Sequence, residues 1–539
     1  MDKKYFGVML DLSRNAVMTV PSLKRYIDAL AKMGYNMLML YTEETYEVTE
    51  EPLFGYLRGR YTKDELKEIV NYGEEKGIEL VPCIQALGHL SKMFRWSHFE
   101  DIHDRGPVLL ADEEKTYEFF ETLIKNVREC FKSDHIHLGC DETFDLGLGK
   151  YKDIHGFTDP NEIYSRHVTR CCEIVQKYGF TPALWSDMFI TFATGKYYNY
   201  DNPNAVTEEV AQRVPKGAEL IYADYFTKNQ HDPDVMFENH KHFHNKIWMT
   251  PAALTWTGFT PHNVQSQFCL GFALDSAAKY NIENIFIAEW GDEGGETSYF
   301  SVLPSLFFAA ERHRGNRDMD DIKAKFEKLF GIAFDDFMKL DYPSTKDAKL
   351  NNHYEAPDRC LLYNDPFVGI YDDLVTEEYP KWEKNFADHA KELHALENNA
   401  EYGYLFSSAA ALCELMSVKV ALGYKTRKAY KAGDKAALKN LLPDYLKAIE
   451  LVDNFYEKLL ILWHTENKAH GFEIQDLRLG GLTQRLKYCH DVIEDYLAGK
   501  LSKIEQLEED IQETSGGDMF EYRYGKIASP CKLSHWMIT

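Results

Sequence analysis

Eight short apolar runs, each followed by a stretch of helical periodicity, constrain this chain more than any other feature it has. The runs are Tyr5 to Leu12, Met37 to Thr42, Ile78 to Gln85, His135 to Cys140, Thr181 to Ser186, Glu219 to Ala223, Lys246 to Ala252 and Asn284 to Ala288. Between them lie helical patterns such as Pro21 to Met33, which opens on proline and stops at Gly34, and Lys63 to Lys76, closed by Gly77. A strand buried on both faces reads as a continuous apolar run, and its parallel neighbour is reached only through a crossover, usually a helix. Eight such units predict an α/β fold of the (β/α)8 TIM-barrel type. An open doubly wound sheet also alternates, but it favours a glycine-rich phosphate turn after strand one, and Asp11-Leu-Ser-Arg-Asn15 is not one.

The alternation stops near Phe334. Pro343, Pro357 and Pro366 break the stretch from Asp341 to about Asp372, and beyond it the pattern is helical, as in Phe406 to Ala421 and Leu451 to Trp463. The predicted organisation is a barrel over residues 1–335, an irregular connector over 336–372 and an all-helical C-terminal domain over 373–539. Trp463, Asn467, His470, Asp476, Arg478 and the pair Gly480-Gly481 decorate one part of that domain; they suit a helix-pair turn or a subunit contact. A homodimer in which these helices reach a second copy's barrel is the expectation.

Composition narrows the function. With 61 basic against 86 acidic residues the net charge is −25, which argues against a nucleic-acid or anionic-membrane partner and favours a small neutral ligand. Asp11 interrupts the N-terminal apolar stretch before a signal-like core develops, and no apolar run is expected to span a bilayer. The ten cysteines form neither a disulfide framework nor a zinc spacing; Cys83, Cys140 and the adjacent Cys171 and Cys172 suit packing. The expectation is a reduced, cytoplasmic enzyme that needs no cofactor or metal.

In a barrel of this kind reactive groups gather at the C-terminal ends of the strands. Strand one delivers Asp11 and Arg14, strand two Tyr41, Glu43 and Glu44, strand three Gln85 and then Gly88-His89, and strand four Asp141 and Glu142. Strand five ends in Trp185-Ser186-Asp187, strand six in Tyr222-Ala-Asp224-Tyr225, strand seven is followed by Trp256, and strand eight closes with Trp290-Gly291-Asp292. Aromatic faces pack against the apolar face of a pyranose, while carboxylates and arginine take its hydroxyls, so this rim describes a sugar site. Each aromatic taken alone is more often core than site; standing together at the strand ends reverses that. Of the adjacent acids Asp141 and Glu142, one can stay protonated beside the other's charge, which divides acid and base roles; a pair that caps a helix or sits in solvent is the plainer alternative.

His137-Leu-Gly139-Cys-Asp141-Glu142 resembles the His-x-Gly-x-Asp-Glu signature of the family 20 glycoside hydrolases, the β-N-acetylhexosaminidases. Leu10-Asp11-Leu-Ser-Arg14 is similar to the family's strand-one arginine motif, Pro82 to His89 to its strand-three Pro-Gly-His segment, Trp290-Gly291-Asp292 to its strand-eight Trp-Gly-Glu, and Ala310-Glu311-Arg312 to the Ala-Glu-Arg that follows. The resemblance implies a retaining exo-hydrolase of terminal β-linked N-acetylglucosamine or N-acetylgalactosamine, on oligosaccharides or glycoconjugates, in which the substrate's own acetamide attacks to give an oxazolinium ion. By that resemblance Glu142 is the general acid and base, Asp141 orients the acetamido group, and Tyr222 or Tyr225 meets its oxygen. It further implies that Arg14 and Asp292 hold ring hydroxyls and that Trp185, Trp256 and Trp290 wall the pocket. Glu43, Glu44 and Asp224 join the same substrate-binding set. His89 and His137 position the acids, although His137 suits a structural role equally.

Strand two carries Glu43-Glu44 where the family usually has Asp-Asp, strand eight has Asp292 in place of Glu, and the Tyr-x-Asp element falls at strand six, with Trp256 after strand seven. With strand one near residue 5, the chain looks most like the compact, intracellular branch related to mammalian hexosaminidase D. Two other readings stand beside this one: a metal-dependent hydrolase using His135 and His137 on one strand face, and a sugar-binding barrel without activity.

Overall fold

The structure is a computed structural model, and it describes residues 3–196, 200–352 and 356–512. Eight parallel strands close into a barrel: β1 Phe6–Asp11, β2 Met37–Tyr41, β3 Glu79–Cys83, β4 His135–His137, β5 Thr181–Trp185, β6 Glu219–Ala223, β7 Ile247–Thr250 and β8 Ile285–Glu289. They neighbour one another in chain order, and β1 meets β8 with Phe6 opposite Ile285 and Leu10 opposite Glu289. Outside the barrel, His103–Arg105 and Val108–Leu109 form a small antiparallel ladder that the apolar pattern gave no sign of.

Alternation assigns every barrel residue a side. Met9, Met39, Tyr41, Val81, Cys83, Trp185, Ile221, Ala223, Trp248, Phe286 and Ala288 pack together inside the barrel. Val8, Leu10, Leu38, Leu40, Leu80, Leu184, Leu220, Tyr222 and Ile287 belong instead to the larger core shared with the surrounding helices. Those helices start where local chemistry places them. Thr19 caps Val20–Met33, accepting from the Ser22 N–H at 3.3 Å, and Gly34 at φ +83° ends it. Thr62 and Glu65 make a reciprocal capping box at the head of Lys63–Glu75.

β4 is shorter than the sequence suggests. It ends at His137 rather than Cys140, because Gly139 and Cys140 both take left-handed backbone angles, φ +64° and +69°, which no strand sustains.

After short turns between Phe334 and Leu374, the C-terminal region is helical, with Tyr379–His394, Gly403–Lys419, Leu422–Lys431, Lys435–Glu466 and Glu473–Leu497. The segment Gly403–Lys431 is long and apolar enough to cross a membrane by length and composition, contrary to expectation, but 78% of its apolar window is buried against the rest of the chain. The decorated turn docks on this chain's own barrel. Lys468 N–H donates to Val17 O at 2.8 Å, Thr19 N–H to Glu466 O at 2.9 Å, and Arg478, Arg359 and Gln475 all donate to the buried Glu296.

Candidate active site

At the C-terminal ends of the strands lies a cavity of about 280 Å³ lined by Arg14, Tyr41, His89, Asp141, Glu142, Trp185, Ala223, Tyr225, Phe226, Trp256, Trp290 and Asp292. Tyr41, Trp185 and Ala223 are there because each is the last residue of its strand and faces inward. Larger cavities of about 610 and 530 Å³ lie against Tyr5, at the opposite end of the barrel. Volume does not decide between them. In the 610 Å³ cavity the charges satisfy one another, as in Lys3–Glu79, Lys132–Glu74 and Lys246–Glu219, whereas the smaller cavity gathers convergent polar groups under aromatic walls.

The acidic pair reaches the mouth through strained backbone. Past His137 the chain turns through Gly139, Cys140 and Glu142, the last at φ +51°, and His89 across the pocket is at +55°. Non-glycine residues in this region cost roughly 1–3 kcal/mol each, so the surroundings hold them there. At Gly139 a Cβ would collide with the Gln85 side-chain amide.

His89 organises the charges. Its Nε2 lies 3.1 Å from Asp141 Oδ2 and 3.8 Å from Glu142 Oε2. Burial opposes a charge on His89, but the Asp141 carboxylate outweighs it and lifts the imidazole to about 9. Burial likewise opposes ionised Asp141, yet the His89 charge and hydrogen bonds from His89 and Gln85 pull its carboxyl down to about 2. Glu142 moves the other way: partial burial and then the Asp141 charge raise it above its ordinary value. Two adjacent acids are thereby split, one held ionised and one inclined to keep its proton. Asp187, buried on the next strand's exit, faces the same two charges and is raised well above the carboxylate range, by burial first.

On the opposite wall Arg14 is 7% exposed, with Nη1 3.2 Å from Glu43 Oε1 and Nε 3.6 Å from Asp292 Oδ1. Asp292 is 45% exposed and stands at the mouth. Trp290 meets Tyr41 edge-on at 4.9 Å and directs its indole N–H to the Tyr225 hydroxyl, while Tyr225 meets Trp256 at 5.8 Å. Among the described residues the Trp185 indole N–H has no hydrogen-bond partner, so it is available to a ligand.

Nine of the expected residues line the cavity: Arg14, His89, Asp141, Glu142, Trp185, Tyr225, Trp256, Trp290 and Asp292. Tyr222 and Asp224 do not. Tyr222 occupies the outward register of β6, packs on Phe237 and His240, and donates to Asp224 Oδ2 at 2.5 Å; Asp224 Oδ1 in turn accepts from the Thr227 N–H. That pair braces the loop that presents Tyr225, so of Tyr222 and Tyr225 it is Tyr225 that lines the cavity. Glu43 and Glu44 are buried behind the wall, paired with Arg14 and Arg58 respectively. His137 lies outside the pocket lining with its ring 4.5 Å from Trp185; its Nδ1 accepts from the Gly139 N–H at 2.9 Å, and burial holds it down at about 3. It is a neutral prop for the Gly139 turn. His135 lies two residues back, against Tyr5, Trp248 and Glu219. Among the described residues neither histidine joins a cluster of metal-ligating groups; the grouping found, His490, Asp491 and Glu494, is on the C-terminal helix.

Tyr41 lines the cavity and Gln85 holds Asp141, both expected at the rim but given no role there, and Phe226 joins the lining without having been expected. The inward register of β2 could have singled out Tyr41. Nothing in a loop's sequence points to Phe226.

Residues 4–255 match the model of the glycosyl hydrolase family 20 catalytic domain, and residues 335–522 match that of the glycoside hydrolase 20C C-terminal domain. The chain belongs to glycoside hydrolase family 20. Within family 20 it is similar to human hexosaminidase D, 23% identical over 354 residues that cover 60% of this chain and 69% of the relative. It is also similar to the mouse beta-hexosaminidase subunit alpha, 25% identical over 213 residues covering 34% of this chain. The chain spans only 39% of that mouse protein's length. Among solved structures, the GH20 beta-N-acetylhexosaminidase from Streptomyces coelicolor A3(2) aligns with TM-score 0.44 and 19% identity over 60% of this chain and 69% of that one.

Proposed function

We propose that this family 20 protein is a retaining exo-β-N-acetylhexosaminidase that releases terminal β-linked N-acetylglucosamine or N-acetylgalactosamine by substrate-assisted catalysis. The observation that carries the reading is the split acidic pair, Asp141 against His89 beside Glu142 with its pKa raised, at the mouth of an aromatic pocket with room for one sugar. The substrate's acetamido carbonyl oxygen attacks C1 while Glu142 gives its proton to the departing oxygen. Asp141, held ionised, accepts the acetamido N–H and stabilises the positive charge of the oxazolinium ion. Glu142, now a carboxylate, then takes a proton from the water that opens the ring, which restores both groups. In this reading Tyr225 meets the acetamido oxygen, Arg14 and Asp292 hold ring hydroxyls, and Trp185, Trp256 and Trp290 pack on the sugar. No step needs a metal. The nine cysteines found free and buried among the described residues support a reducing, cytoplasmic setting.

The test is hydrolysis of the 4-nitrophenyl N-acetyl-β-glucosaminide and galactosaminide. Release unaffected by EDTA, inhibited by a thiazoline analogue of the oxazolinium ion, and confined to chain ends on a β-linked hexasaccharide is expected. No release, loss with EDTA, or early internal fragments from the hexasaccharide would overturn it.

The pH dependence has a fixed sign. Glu142 must enter the reaction protonated, and its pKa is raised, so kcat/KM should fall as pH rises through a value above the ordinary glutamate range. Asp141 stays ionised down to about 2, so it places no limit in the weakly acidic range. A rate profile on a sugar leaving group checks this; an activity that instead rises with pH through that region contradicts the assignment.

A further inference from the structure

We propose that Gln85 is a positioning residue for the acidic pair: its side-chain amide pins Asp141 and ties it, through Tyr41 and Glu43, to Arg14 on the far wall of the pocket. The inference rests on the reading above and concerns what holds that site in register.

Gln85 is 1% exposed, two residues past the end of β3. Its amide nitrogen has two protons and two acceptors, Asp141 Oδ1 at 2.9 Å and the Tyr41 hydroxyl at 2.9 Å. Its carbonyl oxygen accepts from the Cys140 N–H at 3.1 Å. Tyr41, having accepted from Gln85, donates to Glu43 Oε1 at 3.0 Å, and that same oxygen lies 3.2 Å from Arg14 Nη1. Donors and acceptors agree along the whole chain, and they do so for one orientation of the amide only. Turned over, it would set oxygen against the Asp141 carboxylate and N–H against the Cys140 N–H. Gly139 leaves the space this amide fills.

The arrangement fixes both oxygens of Asp141, Oδ1 by Gln85 and Oδ2 by His89. A hydrogen bond donated to a carboxylate favours its charged form, and the Gln85 bond is among the causes that hold Asp141 low. Asp141 is also faced by Glu142, Asp187, His137, Tyr41, Tyr164, Tyr225, Cys83 and Cys140. What opposes its charge is burial, and the Gln85 donor acts against that beside the His89 charge and a backbone N–H, so loss of the amide shifts the balance toward the protonated form. A carboxylate free to rotate would no longer hold the acetamide in line with C1, and reactions of this kind depend steeply on that alignment.

Two variants test it. Gln85→Met keeps the length and removes every hydrogen bond; kcat on the nitrophenyl substrate should fall about 10- to 100-fold with KM changed less than threefold, and the acid limb of the rate profile should move up by about one pH unit. Gln85→Glu keeps the acceptor for Cys140 but sets a second carboxylate against Asp141. It should be slower than Gln85→Met at neutral pH and regain rate as pH falls, because a protonated carboxyl donates to Asp141 as the amide does. In both, thiazoline affinity should weaken in proportion to kcat/KM while affinity for the released sugar stays near wild type. Folded variants with wild-type kcat, or a rate loss whose pH profile parallels the wild type, would overturn the role. A wild-type protein without activity would instead fail the functional reading, not this one.

Discussion

Glu142→Gln should lower kcat/KM for a sugar leaving group by about 10⁴-fold and for a nitrophenyl leaving group by about 10²-fold, at the upper and lower ends of what proton transfer contributes. The larger figure corresponds to about 5.4 kcal/mol of barrier. The two numbers differ because an alkoxide leaves only with a proton, whereas nitrophenolate leaves without one. Glutamine has the shape of glutamate and its side chain is 52% exposed here, so the change should leave the melting temperature within about 2 °C and the affinity for the released sugar unaltered. With nitrophenyl substrate the oxazolinium ion still forms but no base activates water, so azide, which needs none, should restore turnover and yield the β-azide. Those results together exclude a barrel that binds sugar without cleaving it, and one in which His135 and His137 carry a metal, where Glu142 has no task. A variant with full activity on a sugar leaving group removes Glu142 from the reaction.

Much of this architecture was legible before any coordinates, for an identifiable reason. Strands buried on both faces leave an unbroken apolar run, and eight of them admit few closures, so the barrel and the identity of its rim could be read together. The family signature around His137 to Glu142 carried the acidic pair. Facing is less legible. Tyr222 and Tyr225 are three residues apart, and alternation along β6 turns Tyr222 outward onto Phe237, while Tyr225 sits past the strand, where alternation no longer applies. Glu43 and Glu44 stand at a strand end, as expected, but their partners Arg14 and Arg58 come from elsewhere in the chain, and no local pattern states that a carboxylate will be spent on a neighbour rather than a ligand. The docking of the C-terminal helices has the same character. Arg478 meets Glu296 across 182 residues of sequence, and the glycines and charges of that turn read equally as a surface for a second copy.

Asp141→Asn is the sharpest test of the neighbouring-group step. Asparagine keeps an oxygen toward the Gln85 donor, but it cannot accept from the acetamido N–H with a full negative charge or balance the oxazolinium ion. Removing one preorganised charge partner of this kind costs roughly 10²–10³-fold, and misalignment of the acetamide adds to it, so a loss of about 10³-fold or more in kcat/KM is expected. Selectivity separates this from general damage. The ratio of activity on the N-acetyl-β-glucosaminide to that on the plain β-glucoside should collapse with the rate, because only the first substrate uses Asp141. Stability changes with a predictable sign. Asp141 is depressed to about 2 and His89 raised to about 9, so their pairing stabilises the fold fully between roughly pH 4 and 6.5; the contribution is lost as pH falls through 2 and as it rises through 9. The variant should therefore be less stable than wild type at pH 5, by about 2 kcal/mol, and the gap should close above pH 9, where the wild-type His89 has given up the proton that Asp141 held. Near-wild-type turnover in a variant that melts normally at pH 5 would mean that Asp141 neither orients the acetamide nor pairs with His89, and the split between the two acids would lose its physical cause.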